Sequence, residues 1–189
     1  MTRGVRPQPA ASLILLRRER AGPTVLMGRR PARSRFAPDV FVFPGGKLDR
    51  ADFDRPAASA LGEACVRRAA AEPRLAAALA AAAIRETAEE TGLVLPPDHA
   101  ALSIAARAIT PTESPVRFHA RFFVADADLA QGEAAATPEL ADLAWRPLDE
   151  ALNLPLFDIT EAILRSLQAE APPFLMTYRR GRALVKPLA

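Results

Sequence analysis

The chain has 189 residues, half of them apolar, which suits one domain with a sizeable core and some insertions. Its formal charge is +3, and all but two of its 25 basic residues are arginines scattered among carboxylates; only Lys47 and Lys186 are lysines. One Trp and one Tyr give no basic patch interleaved with aromatics, so nucleic acid is not an expected partner. A lone cysteine, Cys65, excludes an internal disulfide framework and suits a reducing, cytoplasmic setting. No apolar run approaches the roughly 20 residues of a membrane span, so no membrane association is expected, and Leu13–Leu16 is too short for a signal-peptide core.

In chain order, Ala11–Leu16 reads as a strand, and Gly22-Pro23 as a turn into a returning strand over 24–28. A basic loop with two prolines follows. Val40–Phe43 reads as a third strand, stopped by Pro44-Gly45-Gly46, whose glycines permit a close approach that a Cβ would block. Residues 53–84 are alanine-rich with Leu, Arg and Glu, a helix-forming composition. Pro56 and Pro73 each suit a first helical turn, which predicts helices over 56–71 and 73–91, with Gly92 as the left-handed C-terminal cap. Ile84, Thr87, Ala88 and Thr91 form the core stripe of the second helix.

Beyond Pro96-Pro97, residues 102–109 and 116–125 read as paired strands. In the second, Val116, Phe118, Ala120 and Phe122 lie on one face, and Arg117, His119, Arg121 and Phe123 on the other. Residues 126–138 read as a polar loop, 140–146 as a strand and 147–150 as a helical turn. Residues 157–169 read as a helix, and 174–178 with 182–185 as a terminal hairpin.

The run Arg85-Glu86-Thr87-Ala88-Glu89-Glu90-Thr91-Gly92-Leu93 concentrates chemistry. Glu86, Glu89 and Glu90 sit at i, i+3 and i+4 of the second helix and share one face. Three like charges so placed repel, whereas a hard divalent cation takes carboxylate oxygens as preferred ligands. Taken alone, Arg85 and Glu89 also suit an ordinary i,i+4 salt bridge on a solvated helix, worth about 0.3–0.5 kcal/mol.

With Gly46 placed before it, this segment resembles the Nudix hydrolase family box, G-x5-E-x7-R-E-U-x-E-E-x-G-U with U aliphatic. Gly46 is the first glycine, and Asp52 stands where the family has Glu. Arg85–Leu93 matches every fixed position, with Thr87 at an aliphatic one. The spacer, residues 53–84, is 25 residues longer than the family's seven. The chain is similar in particular to a split-box subgroup that includes the peroxisomal coenzyme A diphosphatase. That subgroup shares G-G-x-L-D-x-x-D, here Gly45–Asp52, and the run Ile109-Thr110-Pro111 with Arg117–Phe123; it carries Asp where this chain has His119.

The resemblance implies an α/β/α sandwich with a mixed sheet, spanning 1–189 as one domain. The helical insert covers about 53–84, and a C-terminal extension about 171–189. It implies a pyrophosphohydrolase using Mg²⁺ or Mn²⁺ on a nucleotide-type small molecule, with coenzyme A or an acyl-coenzyme A as leading substrate. The alternatives are another nucleotide (dinucleotide cofactor, ADP-ribose, nucleotide sugar or nucleoside triphosphate) or a sensing module that has lost catalysis. It also implies a homodimer. Glu86, Glu89 and Glu90 become metal ligands and catalytic groups, joined at the metal by the Gly45 carbonyl and a carboxylate from a later loop, Glu139 or Glu133. Arg85 belongs to the same catalytic segment and holds Asp52 as a structural partner. Gly46, Arg30 and Arg35 become substrate-binding residues, and Gly92 a structural cap. Among the remaining residues, His119 reads as a strand side chain rather than a ligand, Cys65 as buried and inert, and the insert as a helical lid or packing element.

Overall fold

The computed structural model describes residues 5–33 and 38–189. Arg35, expected to contact substrate, lies outside the described residues. The strands are β1 (Gln8–Glu19), β2 (Gly22–Arg29), β3 (Phe41–Val42), β4 (Gly45–Lys47), β5 (Ser103–Ile109), β6 (Phe118–Asp126), β7 (Ala141–Pro147), β8 (Phe174–Arg179) and β9 (Arg182–Pro187). The helices are α1 (Glu63–Ala69), α2 (Pro73–Thr91), α3 (Leu148–Ala151) and α4 (Asp158–Gln168).

All nine strands join one mixed sheet in the order β3-β2-β1-β6-β5-β8-β9, with β4 also pairing β1 and β7 pairing β2. The β1/β6 and β5/β8 pairs are parallel and the other pairs antiparallel. β1 is central, so it is apolar on both faces, as a strand covered on two sides must be. Leu13 and Leu15 enter a core shared with α1 and α2, while Ile14 and Leu16 enter a second core with α3 and α4. The result is the expected helix–sheet–helix sandwich. Among the described residues no helix is long and apolar enough to cross a membrane.

Helix α2 begins and ends where the sequence places it. Pro73 occupies its first turn, and Gly92 caps it at φ 75° with its N–H bonded to the Ala88 carbonyl. Thr87 and Thr91 are fully buried, and each hydroxyl donates to the carbonyl four residues back, at 2.8 and 2.6 Å. Residues Ala78–Ala83 are buried nearly all round, because the insert covers the side of α2 that the sheet does not.

Three expectations are corrected. Helix α1 starts at Glu63 rather than at 56; Pro56 precedes an irregular stretch whose Ala58 N–H bonds to the Pro97 carbonyl. Gly45-Gly46-Lys47 does not end the sheet but forms β4 against Ala10–Ser12. The segment after Asp126 carries a 3-10 turn at Ala127–Leu129, with Ala127 buried, before it becomes polar loop. The insert is a packing element: Leu61, Cys65 and Ala69 are buried against Leu79 and Ala80 of α2.

Candidate active site

Strand β4 and the last two turns of α2 face each other, and the two glycines set their separation. A Cβ on Gly46 would sit 2.3 Å from a Glu86 carboxylate oxygen, so only a bare backbone fits beneath that side chain. Gly45 has φ 155°, and a Cβ there would lie 2.5 Å from the Ala11 carbonyl oxygen. Its N–H donates to Glu90 Oε2 at 2.8 Å. The family pattern implies a metal contact through the Gly45 carbonyl; here it is the Gly45 amide that bonds to the carboxylate cluster.

Arg85 is the hub of the cluster. Its Nε and Nη2 bond to the two oxygens of Asp52 at 2.9 and 3.0 Å, a bidentate pair. Its Nη1 donates to Glu86 at 2.8 Å and to Glu89 at 2.9 Å, and Nη2 reaches the Lys47 carbonyl at 3.2 Å. Asp52 reaches Arg85, although shorter than the family's Glu, because it lies in a 3-10 turn, Arg50–Asp54, closed by a capping box with Asp49. Burial alone would push the Asp52 carboxyl up. The Arg85 hydrogen bond, the Asp49 N–H and the charges of Arg85 and Arg55 outweigh that and hold it below its ordinary value.

The other carboxylates are pushed the opposite way. Burial raises Glu90 to about 7, its Gly45 hydrogen bond opposes that, and Glu86 and Glu139 add to the rise. Glu86 is also raised, by burial first and then by Glu89 and Glu139, against the pull of Arg85. Glu139 is therefore the later-loop carboxylate whose charge acts on the cluster; it follows Thr137, whose hydroxyl donates to the Glu90 carbonyl at 3.1 Å. Glu133 instead places its backbone carbonyl near Gly92.

Among the described residues no three His, Cys, Asp or Glu side chains converge on one metal position. Arg85 and the Gly45 N–H occupy oxygens of Glu86, Glu89 and Glu90 instead. The donor set is nonetheless all hard oxygen. Burial and neighbouring carboxylate charge both raise Glu86 and Glu90, and added positive charge relieves that, so the residues fit a hard divalent cation.

Beside β4 lies a cavity of about 660 Å³ on the opposite sheet face. Its floor is Phe118, Ala120 and Phe122, the face predicted from the alternation of β6, and its far wall is Phe157–Thr160 with Tyr178. Arg30 lines it and also favours the charged form of Glu90, so it faces both cavity and carboxylates. Lys47 stands over the Phe118 ring at 5.9 Å from its centroid. The Tyr178 hydroxyl donates to Asp158 at 2.5 Å. A second hollow, of about 700 Å³ by Arg18, Glu19 and Glu170, touches none of the carboxylates. Lys47, Asp158 and Tyr178 escaped the sequence reading, because only the β4 turn and the β8 pairing bring these separated residues to one wall.

The NUDIX domain profile matches residues 6–167. No curated protein matches the chain. Among solved structures, a NUDIX hydrolase from Alicyclobacillus acidocaldarius is 26% identical, with a TM-score of 0.76 over 87% of this chain and 92% of that one. The mutator MutT protein from Bacillus halodurans is 19% identical, with a TM-score of 0.58 over 95% and 96%. The NUDIX domain of Shewanella oneidensis NrtR, solved with ADP-ribose, is 18% identical, with a TM-score of 0.57 over 88% and 90%. Hydrolases of this family generally use a divalent metal cation. The chain belongs to the NUDIX domain family and is a pyrophosphohydrolase of that class.

Proposed function

We propose that this enzyme hydrolyses the diphosphate linkage of a nucleoside diphosphate derivative, with coenzyme A or an acyl-coenzyme A as the leading substrate. The observation that carries the reading is the adjacency of two unlike sites. A carboxylate cluster at Gly45-Gly46 abuts an aromatic-floored cavity, and Arg30 borders both. A diphosphate joined to an organic group needs both halves.

Glu86, Glu89, Glu90 and Glu139 are the groups that would hold Mg²⁺ or Mn²⁺. When bound, such a cation neutralises phosphate charge and lowers the pKa of a coordinated water. Arg85 positions Glu86 and Glu89 through its two 2.8–2.9 Å bonds. Glu90 is half-buried and raised to about 7, so a bound cation would favour its charged form, and it or Glu89 would be the group to orient water. The cavity takes the organic half and excludes water from it, and Arg30 at its border adds positive charge beside the phosphates. Coenzyme A leads on the split-box resemblance. ADP-ribose, held by the NrtR domain, represents the other nucleotides.

A product-resolved screen of coenzyme A, acyl-coenzyme A, dinucleotides, ADP-ribose and nucleotide sugars with Mg²⁺ and Mn²⁺ tests the assignment. Glu89→Gln and Glu90→Gln should each lower kcat by about 10²–10⁴-fold. Unchanged turnover in both variants would sink the site.

A further inference from the structure

On the sheet face opposite the cavity, beneath the end of α1, Arg121 of β6 stands directly across from Arg107 of β5. Like charges in that register repel. Arg121 is only 3% exposed; its Nε donates to the Ala69 carbonyl at 3.1 Å and its Nη1 to the His119 carbonyl at 2.8 Å. Arg107, half-buried, donates from Nε to His119 Nε2 at 3.4 Å and from Nη1 to the Arg68 carbonyl at 3.5 Å. Each guanidinium thus uses two of its five N–H donors, and every acceptor is neutral. Among the described residues no carboxylate oxygen lies within 4.0 Å of either. The contrast is Arg85, which holds Asp52, Glu86 and Glu89.

The electrostatics agree. Burial, then the Arg107 charge, lowers Arg121 to about 10. Burial, then Arg121 and Arg107, lowers His119 to about 4, so its imidazole is neutral near pH 7. With Nε2 accepting from Arg107, the imidazole proton is assigned to Nδ1, which makes it a further neutral donor.

We propose that Arg107, Arg121 and His119 form a binding site for a phosphate-class dianion, separate from the catalytic carboxylates. Two forked guanidinium groups carry the charge and donor geometry that match such an anion, and among the described residues no acid within 4.0 Å neutralises them. Gly46, Ala11 and Arg121 are successive rungs across β4, β1 and β6. Two strand spacings put the Arg121 backbone about 10 Å from Gly46. The anion is therefore either free phosphate or a second phosphate group on the substrate; the latter source rests on the nucleotide reading above.

Thermal melting of the metal-free protein in EDTA, titrated with inorganic phosphate at constant ionic strength, is the test. The wild type should gain about 3 °C in Tm, saturably. His119→Asp, which supplies a carboxylate in place, should melt higher without phosphate and lose the phosphate response. Arg107→Gln should lose that response as well. No saturable shift in the wild type, or an equal shift in His119→Asp, overturns the site. The source follows from kcat/KM for coenzyme A relative to dephospho-coenzyme A, which lacks the 3′-phosphate. A ratio that falls about tenfold in both variants assigns the site to substrate. An unchanged ratio beside an intact thermal response assigns it to free phosphate. If neither compound is hydrolysed, the coenzyme A reading fails while the melting data still decide the anion site.

Discussion

At the scale of residues, the two box glycines do different work, and a methyl group on each separates them. The three atoms nearest the Cβ of Gly46→Ala all belong to the end of the Glu86 side chain, which can move at the expense of its Arg85 bond rather than of the backbone. That variant should keep its Tm and lose about 10²-fold in kcat, because a misplaced Glu86 carboxylate costs rate and not fold. Gly45→Ala meets backbone atoms of Ala11 and Ser12 at 2.5 Å and a φ that an L residue resists. It should lose about 2 kcal/mol in urea denaturation. The Asp52–Arg85 pair gives a pH prediction. Asp52 has a side chain with no exposed surface and a carboxyl held below its ordinary value of 3.8. Its stabilising contribution is complete above about pH 4 and disappears as pH falls through the lower, folded-state value. Asp52→Asn leaves Arg85 without its bidentate partner and should cost about 3 kcal/mol at pH 7. Its stability should vary less than the wild type's below pH 4, read by denaturation at several pH values. Arg85, Glu86, Glu89 and Glu90 were legible in the sequence, because helical spacing alone puts them on one face. The Asp52 geometry was legible only as a partner, since its reach depends on a 3-10 turn that a bare Asp-x-x-Asp does not announce.

At the scale of elements, the 25 extra residues of the box serve the core. Helix α2 uses alanines where it is covered on several sides, and Leu61 before α1 packs onto it with Cys65 and Ala69 of α1. Leu79, with no exposed surface, is the largest side chain that α2 buries there. Leu79→Ala should cost about 3 kcal/mol, within the usual 2–5 for a buried leucine. Cys65 reports the same event chemically. It is 7% exposed, and burial pushes its thiol to about 11, so it should react slowly with a thiol reagent in the native protein. In Leu79→Ala its labelling rate should rise by about 100-fold if α1 detaches when the core opens. A large loss of stability without faster labelling would mean that α1 is held by contacts other than those with α2. The start of α1 was misread because Pro56 fits a helical first turn as well as it fits an irregular one. Composition could not say that residues 56–62 bond to the segment at 97–98 instead. The ends of α2 were legible because Pro73 and Gly92 each act through backbone geometry, which local sequence does encode.

At the scale of the whole molecule, the sheet separates two tasks. Glu86 lies over Gly46 on the face that carries α2, whereas Phe118, Ala120 and Phe122 open on the other face, towards α4 and Tyr178. Strand β4 is the shared wall, so under the proposed function a diphosphate and its organic half would meet across its backbone. This division predicts a separation in kinetics. Phe118→Ala removes an aromatic face from the cavity floor and the ring beneath Lys47, without touching a carboxylate. It should raise KM by about 10–100-fold with kcat nearly unchanged, the loss of one buried aromatic contact. Tyr178→Phe deletes the hydroxyl that bonds to Asp158 Oδ2 and leaves that carboxylate at the cavity with only the Ile159 N–H on its other oxygen. It should shift preference among substrates with different organic groups more than it shifts rate on any one of them. Glu90→Gln should do the reverse, with kcat falling on every substrate and little change in their order of preference. The check is a steady-state comparison of the three variants on the same diphosphate panel at saturating metal. If Phe118→Ala lowers kcat as severely as Glu90→Gln does, with KM unmoved, the cavity does not hold the substrate's organic half, and that half must lie against the α2 face.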